Sequence, residues 1–238
     1  MIPQQGQMIE QTGQNRFLKG AVTSIPIVIG YVPIAVALGL IATQSGISPF
    51  YTVLMSLLVF AGASQFMAVS MIMAGTGAVE IILATFILNF RHFIMSLSLM
   101  TLLKTIPAKW KSVLSMGITD ETFTVTFFHR EKASPPFVGG IMLFAYLSWV
   151  MGTILGCLLG DLIPESIGES MAVSLYAMFI GLLIPSVRKN WRIGFISVLS
   201  MLLCYFFSLF AGSGWAIVLA TLLGSLAGLL FLRGDRHE

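Results

Sequence analysis

Apolar positions in this chain run far longer than the period-two or period-3.6 alternation of a half-buried soluble element allows. Eight apolar stretches stand out, at about 17–43, 50–74, 79–104, 112–128, 137–160, 170–187, 193–211 and 214–232. Each approaches the roughly 20 residues needed to cross about 30 Å of hydrocarbon, 112–128 being short and the most polar. Residues 20–79 and 193–232 contain no charged residue and no histidine. The pattern predicts an all-α, polytopic integral membrane protein with about eight hydrophobic segments, some broken or re-entrant. Its expected layout is a disordered cytoplasmic tail at 1–16, a single transmembrane domain at 17–232 and a short cytoplasmic tail at 233–238. The polar start, MIPQQGQMIEQTGQNRF, lacks the apolar core of a signal peptide.

Several stretches carry marks of interruption. Pro26 and Pro33 in the first, with Gly20, Gly30 and Gly39 around them, each remove a backbone donor and predict a kink or break. In the second, Ala61-Gly62-Ala63-Ser64-Gln65 suits either an unwound helix whose free backbone lines a cavity or close helix packing through small residues. Glycines at 152, 156 and 160, and at 224 and 228, predict close helix contacts.

The third stretch, EIILATFILNFRHFIMSLSLMTLL, breaks the apolar rule near its middle with Asn89, Arg91 and His92. A charge at the bilayer centre costs about 2.5–3.5 kcal/mol on insertion scales. At about 100° per residue, Thr85, Asn89, His92 and Ser96 fall within roughly 60° of one another. Arg91 points about 100° away, toward the side of Glu80 and Ser98. The fourth stretch, GITDETFTVTF, places Asp120 and Glu121 next to each other, about 100° apart on a helix, so both cannot face one partner.

Loop charges predict orientation. Arg16, Lys19, Arg188, Lys189, Arg192, Arg233 and Arg236, opposed by the acidic Asp161, Glu165 and Glu169, place both termini in the cytoplasm. Lys104, Lys109 and Lys111 disagree if every segment crosses. They agree if 50–74 dips in from outside, tip at Gly62–Gln65, and 112–128 from inside, tip at Thr119–Glu121. Both topologies stay open at this point. Trp110 and Trp191 would anchor the same interface in the re-entrant case.

Composition narrows the classes. With 57% hydrophobic and 10% charged residues and a mean hydropathy of +0.93, the chain lies far from the soluble average. No basic stripe supports nucleic-acid binding. Cys157 and Cys204 sit singly in apolar segments, without metal or disulfide spacing, and read as small buried hydrophobes. The absence of GxxxxGK[ST] removes ATP hydrolysis by this chain, and no HExxH or GxSxG marks an enzyme. No cofactor is expected.

The candidate substrate-binding residues are Gly62, Ser64, Gln65, Asn89 and His92. The candidate charge pair or proton-coupling groups are Arg91, Asp120 and Glu121, with His92. One acid is expected to pair with Arg91 and the other to face water or substrate. Against this stand a purely structural ion pair, and an interfacial 112–128 with exposed acids. A secondary transporter is the leading class; a channel-like pore, an intramembrane enzyme and a structural subunit are its competitors.

AGASQF at 61–66, NFRH at 89–92 and TDE at 119–121, with the Pro- and Gly-bearing first segment, resemble the signature segments of the AzlC/YgaZ family. The resemblance runs over nearly all of 17–232 and is weakest in the C-terminal third. It implies the large subunit of an exporter of branched-chain amino acids, in some members methionine, in the bacterial inner membrane. It also implies a small AzlD-type membrane subunit as partner. The residues fit: a zwitterion needs a cation or helix N-terminus for its carboxylate, and an acid or carbonyls for its ammonium.

Overall fold

The computed structural model describes residues 3–103, 106–160, 162–164, 173, 176–177, 180–181, 183–211 and 213–232. Every regular element among them is helical: α1 Pro3–Thr23, α2 Ile25–Gln44, α3 Pro49–Leu58, α4 Gly62–Met73, α5 Ala78–Leu102, α6 Ala108–Met116, α7 Asp120–Phe128, a 3-10 turn Arg130–Lys132, α8 Pro135–Leu158, α9 at 183–189, α10 Trp191–Ser208 and α11 Ser213–Leu232. Lys104, Asp161, Glu165, Glu169, Arg233 and Arg236, used above for orientation, lie outside the described residues, as do parts of the stretch 170–187.

Four helices, α2, α5, α8 and α10, are long and apolar enough to cross a membrane; α3, α4 and Gly214–Gly228 of α11 are apolar but shorter. Among the described residues, the apolar stretches resolve into long helices and pairs of short ones. The first stretch is two helices meeting at Ser24, and Pro26 falls at the start of α2, where a missing N–H leaves no bond unmade. Pro33 lies inside α2. The second and fourth stretches each split into two short helices, at 59–61 and 117–119. The break in the second comes before the expected position, and Gly62–Gln65 form the first turn of α4. At the other end of the chain, α1 extends back to Pro3, through residues read above as a disordered tail; Gln, Met and Glu there are good helix formers.

By its contacts the chain falls into two compact units. The first holds residues 1–65 and 91–172, and the second 66–90 and 173–238. In the first unit α8 is the central helix and packs against α1, α2, α3, α6 and α7. Ile34, Leu38, Leu40, Val138, Ile141 and Trp149 are buried there. Backbones approach closely: a Cβ on Gly39 would lie 2.4 Å from the Thr153 carbonyl oxygen, and one on Gly156 2.2 Å from that of Val36. The second unit pairs α10 with α11 and buries Met71, Ala84 and Val218 together.

Turns close where chemistry permits. After α2, Gly46 adopts φ +82°, its N–H reaching the Thr43 carbonyl and that of Ile47 the Ala42 carbonyl. Gly75 repeats the arrangement after α4, at φ +68°. Both are helix-ending Schellman turns, which need a left-handed residue.

Gly30 in α2 has nothing within 4 Å of a built Cβ. Gly30→Ala is expected to stabilise the protein by about 0.5–1 kcal/mol, the helix-propensity difference, and Gly156→Ala to destabilise it by about 1–3 kcal/mol through overpacking. Thermal melts of the two purified variants in detergent should move in opposite directions.

Candidate functional site

The break at 59–61 is held by one face of α8. Tyr146, Trp149 and Thr153 follow each other at three- and four-residue spacing and so point the same way. The Tyr146 hydroxyl donates to the Leu57 carbonyl, 2.9 Å, one of the acceptors left open where α3 ends. Trp149 Nε1 donates to Gln65 Oε1 at 2.8 Å, and Gln65 Nε2 donates to Ser56 Oγ at 2.9 Å. Ser56 Oγ lies 2.9 Å from Thr153 Oγ1, which donates to the Trp149 carbonyl, also at 2.9 Å. Because the Thr153 proton is committed to that carbonyl, Ser56 donates to Thr153. The four residues thus close a directed ring of hydrogen bonds, completed through the Trp149 main-chain carbonyl, in which Gln65 is 1% exposed.

Gly62 seats the indole. A Cβ there would stand 2.5 Å from Trp149 Cη2. Ser64, also buried, donates to the Ala61 carbonyl at 2.9 Å. Gly62, Ser64 and Gln65 are thus brought together around the start of α4, with Gln65 engaged by Trp149 and Ser56.

The second break, at 117–119, leads into α7. Thr119 is its N-cap and forms a reciprocal box with Thr122: the Thr122 N–H reaches Thr119 Oγ1 at 3.2 Å, and the Thr119 N–H reaches Thr122 Oγ1 at 2.8 Å. Asp120 and Glu121 occupy the first turn, where the positive end of the helix dipole favours carboxylates. Both acids are thereby accommodated at a helix start.

The two acids divide as their angular separation requires. Asp120 Oδ2 lies 2.8 Å from Arg91 Nη1, the side chains being 25% and 30% exposed. Glu121 accepts from the Tyr31 hydroxyl, which also lies 2.6 Å from Thr119 Oγ1. Tyr31 is 3% exposed and packs edge-on against Trp149, 5.3 Å between ring centroids, and Phe60, 6.0 Å. It therefore joins α2 to both breaks at once. His92 is half-buried next to Arg91 and within electrostatic reach of Asp120. Asn89 lies on the part of α5 counted in the other unit.

Tyr31 and Trp149 were not singled out from the sequence. A signal existed: each is an aromatic with a polar handle in mid-segment, whereas such residues otherwise gather at membrane interfaces. Cys157 is buried and Cys204 half-exposed, both as free thiols. Among the described residues no group of three or more His, Cys, Asp or Glu side chains could hold a metal ion.

A family model described as AzlC protein matches residues 26–163, more than half of the chain and the part that carries every side chain of this cluster. The chain is 35% identical to the inner membrane protein YgaZ of Escherichia coli K12 over 147 residues, 60% of each protein. It is 32% identical to an uncharacterized membrane protein of Archaeoglobus fulgidus over 174 residues, 72% of this chain and 76% of that one. It is 26% identical to the branched-chain amino acid transport protein AzlC of Bacillus subtilis over 132 residues, 54% of this chain and 52% of that one. The chain thus spans about 60% of the length of YgaZ and about half that of the Bacillus protein. No solved structure matches it. Helical, apolar and matched over residues 26–163, the chain is a membrane protein of the AzlC family.

Proposed function

We propose that this protein is a secondary transporter that exports branched-chain amino acids, and in addition methionine, across the bacterial inner membrane. The observation that carries the reading is the Arg91–Asp120 pair with Glu121 beside it, set at the break between two short helices. Ionisable groups inside membrane segments mark substrate or proton pathways, and broken helices expose the backbone that substrates use. The name of the Bacillus relative supports the substrate class.

In this reading Arg91 and Asp120 hold α5 against α7, and Glu121, reached by Tyr31, carries the coupling proton with His92. The substrate side comprises the start of α4, where Gly62 and Ser64 bring backbone amides toward a carboxylate, and His92 of α5. The apolar side chain needs only an apolar wall. Both termini lie in the cytoplasm, and a small AzlD-type membrane subunit works with this chain.

Cells loaded with labelled leucine, valine and methionine should lose them faster with this protein and its small subunit than without; equal efflux removes the substrate assignment. Glu121→Gln should abolish efflux driven by a proton gradient while leaving exchange of internal for external leucine; fully proton-dependent efflux by this variant refutes the coupling role. Asp120→Asn should lower the amount of folded protein, by more than the roughly 1 kcal/mol of an exposed pair and less than the about 3–5 kcal/mol of a fully buried one. The charge-swapped Arg91→Asp, Asp120→Arg protein should recover part of that loss.

A further inference from the structure

Within the first unit, the C-terminal half of α1 and the residues that lead into α8 enclose a groove of about 780 Å³, well within the range of small-molecule sites. Its lining is mixed: Arg16, Lys19 and Lys132, with a single acid, Glu131, share it with the apolar Leu18, Val22 and Phe137. Among the described residues none of the three cations has an ion-pair partner. The Ser134 hydroxyl, at the N-cap of α8, also lines the groove and is buried without a hydrogen-bond partner.

An apolar track leaves this groove. Leu18, Val22, Ile25, Ile29 and Val32 follow at alternating spacings of four and three residues, and the bonds from Ser24 N–H to the Gly20 carbonyl and from Val28 N–H to the Ser24 carbonyl carry the helical turn across the junction, which keeps them on one side of a helical path. All are exposed, from 37% at Val32 to 69% at Ile29. At 1.5 Å per residue the track runs for about 20 Å, longer than the roughly 15 Å of one hydrocarbon leaflet. A ligand that fills both parts has a small anionic head and a long apolar chain.

The geometry points to a binding site for an anionic phospholipid, its phosphate held by Arg16, Lys19 and Lys132 and its acyl chain laid along Leu18–Val32. Ser134 donates to a phosphate or glycerol oxygen. Basic residues beside a membrane segment attract anionic headgroups in this way, and the unpartnered hydroxyl with the adjoining track distinguishes the groove from a merely basic surface.

The test uses the purified full chain in neutral detergent, with phosphatidylglycerol, phosphatidylcholine or inorganic phosphate added. Melting temperature and lipid retention by native mass spectrometry are the two readouts. Phosphatidylglycerol should raise the melting temperature and remain bound, whereas phosphatidylcholine and inorganic phosphate should not. Each of Arg16→Gln, Lys19→Gln and Lys132→Gln should weaken retention about five-fold. Neutralising Lys109 and Lys111 together instead, which removes more charge elsewhere than any single variant, should leave it unchanged. Equal retention of phosphatidylcholine, or full retention by the triple Gln variant, overturns the site. A full shift with inorganic phosphate alone overturns the lipid and leaves a small-anion site. Should the triple variant not fold, the single variants carry the same reading by mass spectrometry.

Discussion

A backbone removed from water must satisfy its own polar groups, and the first unit interrupts its helices at Ser24, 59–61 and 117–119. Each interruption frees carbonyls and amides that need partners nearby. Local chemistry answers part of this: Thr119 and Thr122 cap α7 between them, and Thr122 Oγ1 donates to the Gly117 carbonyl at 3.0 Å. The rest comes from α8, whose Tyr146, Trp149 and Thr153 face the first break, and from Tyr31 of α2, which reaches the second. The breaks persist because intact helices beside them carry donors at matching positions.

The same constraint accounts for the small residues. Donors on α8 reach α3 and α4 only if the helices lie close, and Gly62 leaves room for the indole that bonds Gln65. Further along α8, Gly39 and Gly156 let α2 and α8 touch through their backbones. That contact places Tyr31 where one hydroxyl meets Thr119 and Glu121 while its ring lies against Trp149. Packing and polar satisfaction are therefore one requirement in this unit: a wider helix spacing would strand the buried hydroxyls and the Gln65 amide.

Much of this was legible in residue order. The helical membrane class, the two interrupted stretches and the need for Arg91 to meet an acid follow from length, from Gly and Pro, and from the cost of burying charge. The break at 59–61 was placed a few residues late because Gly62 and Ser64 look like helix breakers, whereas they open a helix whose first turn tolerates both. Gln65 read as a substrate contact because an amide at mid-depth needs a partner. Its partners, Trp149 and Ser56, lie 84 and 9 residues away, and the distant one carries no local signature.

Sequence by itself determined that this chain cannot fold in water as a small core, that its helices are interrupted, and which few ionisable groups sit among apolar residues. These are local properties: length, propensity and charge act within a turn or two of chain. The choice of Asp120 for Arg91 and of Glu121 for Tyr31 belongs to tertiary structure. Two adjacent acids on one helix turn face different neighbours, and which neighbour stands where depends on how α2, α5 and α7 meet. No spacing along the chain encodes that.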